Sequence, residues 1–296
     1  MTLEEKLASW TGPASATEQE KQDRTERMIR DAIKEHAAFK DCNLKVYAKG
    51  SYANNTNVRA DSDVDIAVEC TEVIYYDVYP NAKAPPSVPY DGIWTPEKLR
   101  TELVAAMKAK FPGYVDATGA VAIQINSSTA RVDADVVPCF SHHFYMPFNV
   151  CREGTKVFKK DGSSIINYPV QQYDNGVAKN KATNYAYKRC ARLLKRLEND
   201  MASKGVYKEL PSFLMECLAY NCSDRLFMQV TWTECLKYML SHIWNELEGA
   251  EPTEESKRWL EVNEYKYLFH SDQKWTREDA RGFAYAAWNH LGLSNE

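Results

Sequence analysis

The first half of the chain mixes two spacings of hydrophobic residues, one typical of helices and one typical of strands. Apolar residues three and four positions apart predict a helix over residues 18–39 and a second helix that begins at Thr95-Pro96-Glu97. Alternation of apolar and polar residues predicts strands, the last two of which form a hairpin through residues 126–129. The predicted strands are residues 44–48, 64–70, 121–125 and 130–137.

The second half of the chain ends in helical spacing alone. Residues 71–95, rich in Pro and Tyr, and residues 141–178 have no clear period, so both are predicted to be long connections. Strands mixed with helices, followed by helices alone, predict an α+β fold with a mixed lobe over residues 1–165 and a helical lobe over residues 166–296. The helices beyond the second connection are predicted at residues 181–199, 211–222, 229–248, 253–262 and 276–291.

Composition and charge narrow the class of protein. The 296 residues are 44% hydrophobic, no run approaches the ~18 apolar residues of a membrane span, and residues 1–21 are too polar for a signal peptide. We therefore expect a cytoplasmic protein without membrane contact. Eight cysteines without a C-x-x-C pair argue against a zinc site and against a disulfide framework. A net charge of −4 excludes a surface that binds polyanions as a whole, so phosphate chemistry requires a local basic site.

Paired aspartates are the first candidates for chemistry. Asp63 and Asp65 are two positions apart on a predicted strand, so both carboxylates project from one face, and Asp133 and Asp135 repeat this spacing on a later strand. Carboxylates crowded on one sheet face repel each other unless cations bind there, and oxygen ligands of this kind suit Mg²⁺. The D-x-D spacing alone is common on solvated strand faces, so the neighbouring sequence has to decide between a metal site and a polar surface.

A turn upstream of the aspartates supplies that context. Gly50-Ser51 follows the predicted first strand, and such a turn lets backbone N–H groups and a hydroxyl approach phosphate oxygens. The order of this turn, a short loop, two strand aspartates and a later strand aspartate resembles the polymerase-β-like nucleotidyltransferase superfamily. Within it, residues 50–59, 62–66 and 135–139 resemble the bacterial cGAS/DncV-like nucleotidyltransferases. The resemblance implies that Gly50 and Ser51 bind the nucleotide.

The same resemblance implies a catalytic centre. It predicts a nucleotidyltransferase lobe, made of a mixed sheet with flanking helices, and an active-site cleft between this lobe and the helical one. Asp63, Asp65 and Asp135 would be the catalytic metal ligands for two Mg²⁺ ions, with Mn²⁺ as an alternative. Asp135 is favoured over Asp133 because the third aspartate of the family begins an Asp-hydrophobic-hydrophobic-Pro segment.

A basic stretch in the helical part offers phosphate ligands. Residues 179–196 contain seven basic residues and no acidic one. By resemblance, Lys195, and with it Arg192, would contact the nucleotide triphosphate. Ser212 would contact a phosphate, and Phe213 would stack on a base. The structural alternatives are a solvated basic helix face, a helix cap at Ser212 and core packing by Phe213.

The function implied by the resemblance is the joining of nucleoside triphosphates. ATP and GTP, with pyrimidine triphosphates as further candidates, would become a cyclic di- or trinucleotide with release of pyrophosphate. The product would act on a separate effector protein in bacterial anti-phage (CBASS) signalling, and extended nucleic-acid binding is not expected. Two alternatives stay open. One is another polymerase-β-like nucleotidyltransferase that acts on RNA or tRNA ends or on a small molecule; the other is a non-catalytic nucleotide-binding partner.

Overall fold

A computed structural model describes residues 1–58 and 63–293 of the chain. Arg59 and Ser62, which belong to the motif segments quoted above, lie outside the described residues. Contacts along the chain divide it into two compact units. The helical unit comprises Met1–Ala14, Asn54–Val58 and Val170–Glu296, and the sheet unit comprises Ser15–Ala53 and Arg59–Pro169.

Strands and helices follow one another along the chain in a mixed first part and a helical second part. The strands are β1 (Leu44–Lys49), β2 (Val64–Val78), β3 (Val115–Asp116), β4 (Ile123–Ile125), β5 (Ala134–Tyr145), β6 (Cys151–Phe158) and β7 (Ser164–Asn167). The helices are α1 (Leu3–Trp10), α2 (Ala16–Glu35), α3 (Gly50–Ala53), α4 (Pro96–Lys110), α5 (Pro169–Ala182), α6 (Ala186–Ser203), α7 (Ser212–Asn221), α8 (Trp232–Glu246) and α9 (Arg277–His290).

The described strands of the sheet unit form one mixed sheet. Its order is β1-β2-β5-β4-β3, and β6 and β7 extend it from a second stretch of β5. β2 and β5 are parallel, and the other pairs are antiparallel. Helices α2 and α4 pack on this sheet because each carries an apolar stripe, for example Ile29 and Ile33 on α2 and Leu103 on α4. Side-chain caps at Ser15 and Thr95 begin the two helices.

The helical unit has its own core. α6 buries Leu193, Leu194 and Leu197 among apolar residues of α1, α7, α8 and α9. A break separates α5 from α6 where Asn184 and Tyr185 take positive φ angles of 47° and 64°. This break explains why the helix that the sequence predicts at residues 181–199 begins later, at Ala186. No described helix, within residues 1–58 or 63–293, combines the length and apolarity needed to cross a bilayer.

The predicted α+β class is confirmed, and so are the hairpin of β4 with β5 and the start of α4 at Pro96. The prediction of a loop from residue 71 is wrong, because β2 continues to Val78 beside β5. A register shift between Cys70 and Ile74 interrupts the alternation there, and Ile74 is half exposed, so the sequence pattern hides the strand. Helix α1 was not predicted, although its capping box of Thr2 and Glu5 is a recognisable signal.

Residues 141–178 and 253–262 also differ from their predictions. The first segment holds the end of β5, strands β6 and β7 and most of α5 instead of a long connection. β6 buries only Thr155 and Val157, which is too little apolar alternation to indicate a strand. The second segment forms a single 3₁₀ turn at Glu255–Lys257 and then an isolated bridge instead of a helix.

Candidate active site

Two aspartates lie side by side in the centre of the sheet. β2 and β5 run parallel, and Asp65 is the register partner of Asp135, so both carboxylates project from the same face. Both side chains are partly buried. Burial and then the nearby charge of Asp65 raise the pKa of Asp135 above its usual range. The pair is therefore a concentrated negative site that a bound cation would stabilise.

Two polar residues extend this pair into a row across four strands. Lys49, at the end of β1, is the register partner of Asp65, and Gln124 on β4 is the register partner of Asp135. Lys49 Nζ lies 3.5 Å from Asp65 Oδ1, and the side chain of Gln124 hydrogen-bonds to Asp135. Sequence reasoning assigned no role to either residue. The position of Gln124 between two buried isoleucines could have indicated that its side chain projects from the polar face of β4.

Asp63 lies outside the paired part of β2. It is exposed and immediately precedes β2, so it has no place in the β2–β5 register. Within residues 1–58 and 63–293, no group of three or more His, Cys, Asp and Glu side chains lies in position to hold a metal ion. The structure thus brings Asp65 and Asp135 together, and the predicted three-aspartate set including Asp63 stays a prediction.

Asp133 forms hydrogen bonds within the sheet unit. Its Oδ1 accepts a hydrogen bond from the Ser127 backbone N–H at 2.5 Å, and its backbone carbonyl accepts one from Val64 N at 3.0 Å. These contacts hold the β4–β5 turn and the start of β2. Asp135, and not Asp133, is the register partner of Asp65, and the choice of Asp135 as the third metal ligand stays a prediction.

The Gly50-Ser51 turn lies beside one member of this pair, because Gly50 packs against Asp65. Gly50 has a φ of +67°, which favours glycine, and it begins the short helix α3 directly after β1. A Cβ at this position would lie 2.4 Å from Asp65 Oδ2. Ser51 is the next residue and is partly exposed. The turn therefore carries a hydroxyl and backbone N–H groups to the edge of the acidic site.

Lys195 lies within the helical unit and is almost fully buried, with 2% of its side chain exposed. Its Nζ donates to Thr56 Oγ1 at 3.0 Å and to Glu216 Oε2 at 2.9 Å, and Thr56 Oγ1 donates to the same carboxylate at 2.6 Å. Burial raises the pKa of Glu216, but the charge of Lys195 and these hydrogen bonds outweigh it, so the pKa is lowered. The lysine charge is thus compensated inside the unit, and its predicted triphosphate contact stays a prediction.

Arg192 is likewise buried, on the same helix α6. Its Nε donates to the carbonyl of Thr11 at 2.8 Å, and its Nη1 donates to the carbonyl of Asn55 at 2.5 Å. Burial, followed by the charges of Arg196 and Arg189, lowers the pKa of Arg192 to about 10. Arg192 and Lys195 therefore both hold the segment 54–58, a role that the basic pattern of α6 did not indicate.

Ser212 and Phe213 open helix α7. Ser212 is exposed and is the first helical residue, while Pro211 occupies the N-cap position, so the helix has no side-chain cap from Ser212. Phe213 is partly buried and packs on Trp275 with ring centroids 6.3 Å apart. The phosphate contact of Ser212 stays a prediction, and so does the base stacking of Phe213, whose phenyl ring packs against the core of the helical unit.

Comparisons with known proteins point to one family. The family model of the cGAS/DncV-like nucleotidyltransferase C-terminal helical domain matches residues 174–292. The cyclic dipyrimidine nucleotide synthase CdnE from Legionella pneumophila is 34% identical to the chain, and the match covers 97% of each protein. The enzyme of the same name from Cecembia lonarensis is 35% identical, and that match covers 97% of the chain and 98% of the relative. The structure of the Elizabethkingia meningoseptica CdnE cyclic dinucleotide synthase with GTP and Apcpp matches with a TM-score of 0.80 and 30% identity over 98% of both chains.

These similarities cover both units of the chain and not the helical part alone. The resemblance found in the motif segments around the two aspartate pairs is thereby confirmed at the level of the family. The chain belongs to the cGAS/DncV-like nucleotidyltransferases and is a cyclic nucleotide synthase.

Proposed function

We propose that the chain joins nucleoside triphosphates into a cyclic dinucleotide with release of pyrophosphate, and that Asp65 and Asp135 are the core of its metal site. The observation that carries the proposal is the direct β2–β5 pairing of the two aspartates. The product would act on a separate effector protein in anti-phage signalling, and a cyclic trinucleotide is the alternative product.

The acidic pair suits a divalent cation. Its donors are carboxylate oxygens, which Mg²⁺ and Mn²⁺ prefer, and its two negative charges are close enough for one to raise the pKa of the other. We propose Mg²⁺ at this pair, with Asp63 completing a set that holds two ions. When bound, such ions neutralise phosphoryl oxygens and acidify the attacking ribose hydroxyl.

The remaining residues have roles that follow from where each side chain lies. Ser51 and the backbone of Gly50 would hold phosphate oxygens of the donor nucleotide beside the acidic pair, which fixes the α-phosphorus for attack. Gln124 would keep the Asp135 carboxylate oriented. The exposed hydroxyl of Ser212 is the candidate for a further phosphate contact. Lys195 would hold Thr56 in place, and its contact with the triphosphate stays a prediction of the family resemblance.

Similar proteins differ in the bases of the nucleotides that their names and structures specify. The names of the two curated relatives specify dipyrimidine products, whereas the matching structure holds GTP and Apcpp. We therefore propose nucleoside triphosphates as the substrate class, with all four bases as candidates.

The test is incubation of the purified protein with ATP, GTP, CTP and UTP and Mg²⁺, without any acceptor. We expect pyrophosphate release and a phosphatase-resistant cyclic product, identified by mass spectrometry. Asp65→Asn and Asp135→Asn should each reduce the rate at least about a thousandfold, since each removes a metal ligand. Asp133→Asn is the matched control, because an amide oxygen can still accept from Ser127 N–H, and it should retain most of the activity.

Two results would contradict the proposal. Wild-type pyrophosphate release by the Asp65→Asn or Asp135→Asn protein would exclude the acidic pair as the site. A linear, phosphatase-sensitive product, or turnover that depends on added RNA, would instead indicate a nucleotidyltransferase with a separate acceptor.

A further inference from the structure

Lys49 is the positively charged residue in the row of side chains that also contains Asp65 and Asp135. It is paired in register with Asp65, which is paired with Asp135, so the three side chains share one face at one level of the sheet. The Lys49 and Asp65 side chains are only 24% and 32% exposed, so solvent screens their interaction less than that of a fully exposed pair. Lys49 is thus built into the sheet next to the proposed metal site.

The charges in this row are unequal. Two carboxylates face one ammonium, and Lys49 acts on both of them, by a 3.5 Å contact with Asp65 and by its charge on Asp135. The ammonium therefore lowers the electrostatic repulsion between the carboxylates in the protein without metal. A divalent cation at the same carboxylates would meet this fixed positive charge at short range, and like charges at such distances repel strongly in a partly buried site.

We propose that Lys49 is a built-in counter-ion of the acidic pair, which compensates Asp65 and Asp135 in the metal-free protein and opposes the binding of a divalent cation on its own. The inference rests on the proposed metal site. Lys49 directly precedes the Gly50-Ser51 turn, so an ammonium displaced from Asp65 remains beside the proposed phosphate-binding residues. A triphosphate would give it a new partner. Metal and nucleotide would then bind together more readily than metal alone.

The first experiment measures Mn²⁺ binding to the full-length protein without nucleotide, by calorimetry and by the electron paramagnetic resonance signal of free Mn²⁺. Lys49→Gln should bind Mn²⁺ about tenfold more tightly than the wild type, because one opposing charge is removed. Lys49→Arg retains the charge and should bind Mn²⁺ as the wild type does. Lys45→Gln removes the same charge from the same face of β1, about 13 Å further along the strand, and should leave the affinity unchanged.

A second experiment follows the Lys49 side chain by NMR and needs no variant that removes its charge. Reductive ¹³C-methylation of lysines keeps their charge, and the Lys49 signal can be assigned by its loss in Lys49→Arg. Saturation with Mg²⁺ should shift the Lys49 methyl signal as the ammonium leaves Asp65, while the Lys45 signal stays in place. This result also decides the question if Lys49→Gln fails to fold.

Mn²⁺ binding by Asp65→Asn distinguishes a failure of the proposed metal site from a failure of the proposed role of Lys49. If Asp65→Asn loses Mn²⁺ binding while Lys49→Gln binds like the wild type, the metal site stands and the role of Lys49 is overturned. An unmoved Lys49 methyl signal at saturating Mg²⁺ overturns it as well. If Asp65→Asn binds Mn²⁺ like the wild type, the proposed metal site itself is wrong.

Discussion

Gly50 lies so close to Asp65 that a side chain on Gly50 would displace the Asp65 carboxylate. A Cβ on Gly50 would sit 2.4 Å from Asp65 Oδ2 and 3.2 Å from its carboxyl carbon. Gly50 also has a φ of +67°, where other residues are strained. The glycine of the Gly-Ser turn thus has a steric role in addition to any contact of its backbone with phosphate.

Gly50→Ala should therefore impair both stability and activity. The left-handed backbone costs about 1–2 kcal/mol for alanine, and the clash displaces the Asp65 carboxylate from its position beside Asp135. We expect a clear drop in the urea midpoint and a loss of pyrophosphate release of at least about tenfold. Gly113→Ala is the matched control, since Gly113 has a φ of +80° and nothing within 4 Å of the Cβ position. Equal activity losses in the two variants would refute the steric role.

The sheet that carries the acidic pair was largely predictable from sequence. Alternation identified β1, the first half of β2 and the β4–β5 hairpin, because each strand has one face in the core. The family resemblance implied that Asp65 and Asp135 come together with Asp63, but their direct pairing in register was not predicted. β6 and β7 were not predictable, since a strand with few buried apolar residues carries no period-two signal.

The supporting contacts of the candidate site were much less predictable. Lys195 was singled out by the family resemblance, but its partner Thr56 is 139 residues away, and nothing in the spacing of either residue indicates the contact. Lys49 directly precedes the motif segment that begins at Gly50, and its proximity to Asp65 follows from the β1–β2 register alone. Local patterns find residues that face a core or a cleft, whereas polar contacts between distant segments require the tertiary fold.

Ser51→Ala tests the phosphate role of the turn. Ser51 is partly exposed and follows Gly50, which lies beside Asp65, and a hydrogen bond to a charged phosphate is worth about 1.5–3 kcal/mol. We expect KM for the nucleoside triphosphate to rise about tenfold or more in a pyrophosphate-release assay, with the urea midpoint unchanged. Ser163→Ala, in the exposed β6–β7 turn, should leave KM as in the wild type. An unchanged KM in Ser51→Ala would remove this serine from the binding site.

Breaking the buried ion pair of Lys195 and Glu216 should strongly destabilise the helical unit. Each charge is compensated by the other and by Thr56, so Lys195→Met or Glu216→Gln leaves one buried charge without its partner. The expected loss is about 3–5 kcal/mol for each single variant in urea unfolding. The double variant should lose less than the sum, because it removes both charges.

Lys257→Met is the control for this comparison. Lys257 forms an ion pair with Glu254 in which both side chains are more than half exposed, so its loss should not move the unfolding midpoint. If Lys195→Met were as stable as the wild type and raised KM for the nucleotide, Lys195 would be a substrate ligand, as the family resemblance implies.

Asp200 should make the stability of the helical unit depend on pH in the acidic range. Burial alone would raise the pKa of Asp200. The pKa is nevertheless lowered to about 2, because Asp200 accepts hydrogen bonds from Lys204 and His290 and interacts with the charge of Lys6. A carboxylate with a lowered folded pKa contributes stability above its unfolded pKa near 4, and this contribution disappears as the pH falls through the folded value. Asp200→Asn should therefore cost about 1–2 kcal/mol at pH 7, reduced for solvent screening, and roughly half of that at pH 3.

The measurement is urea unfolding of the wild type and Asp200→Asn at both pH values. Asp272→Asn, which changes an exposed carboxylate, should follow the wild type throughout. The essential result is that the difference between wild type and Asp200→Asn narrows as the pH falls, since protonation of the wild-type carboxyl removes the same interactions as the substitution. A constant difference between pH 7 and pH 3 would mean that Asp200 stabilises the unit by packing and not by its charge.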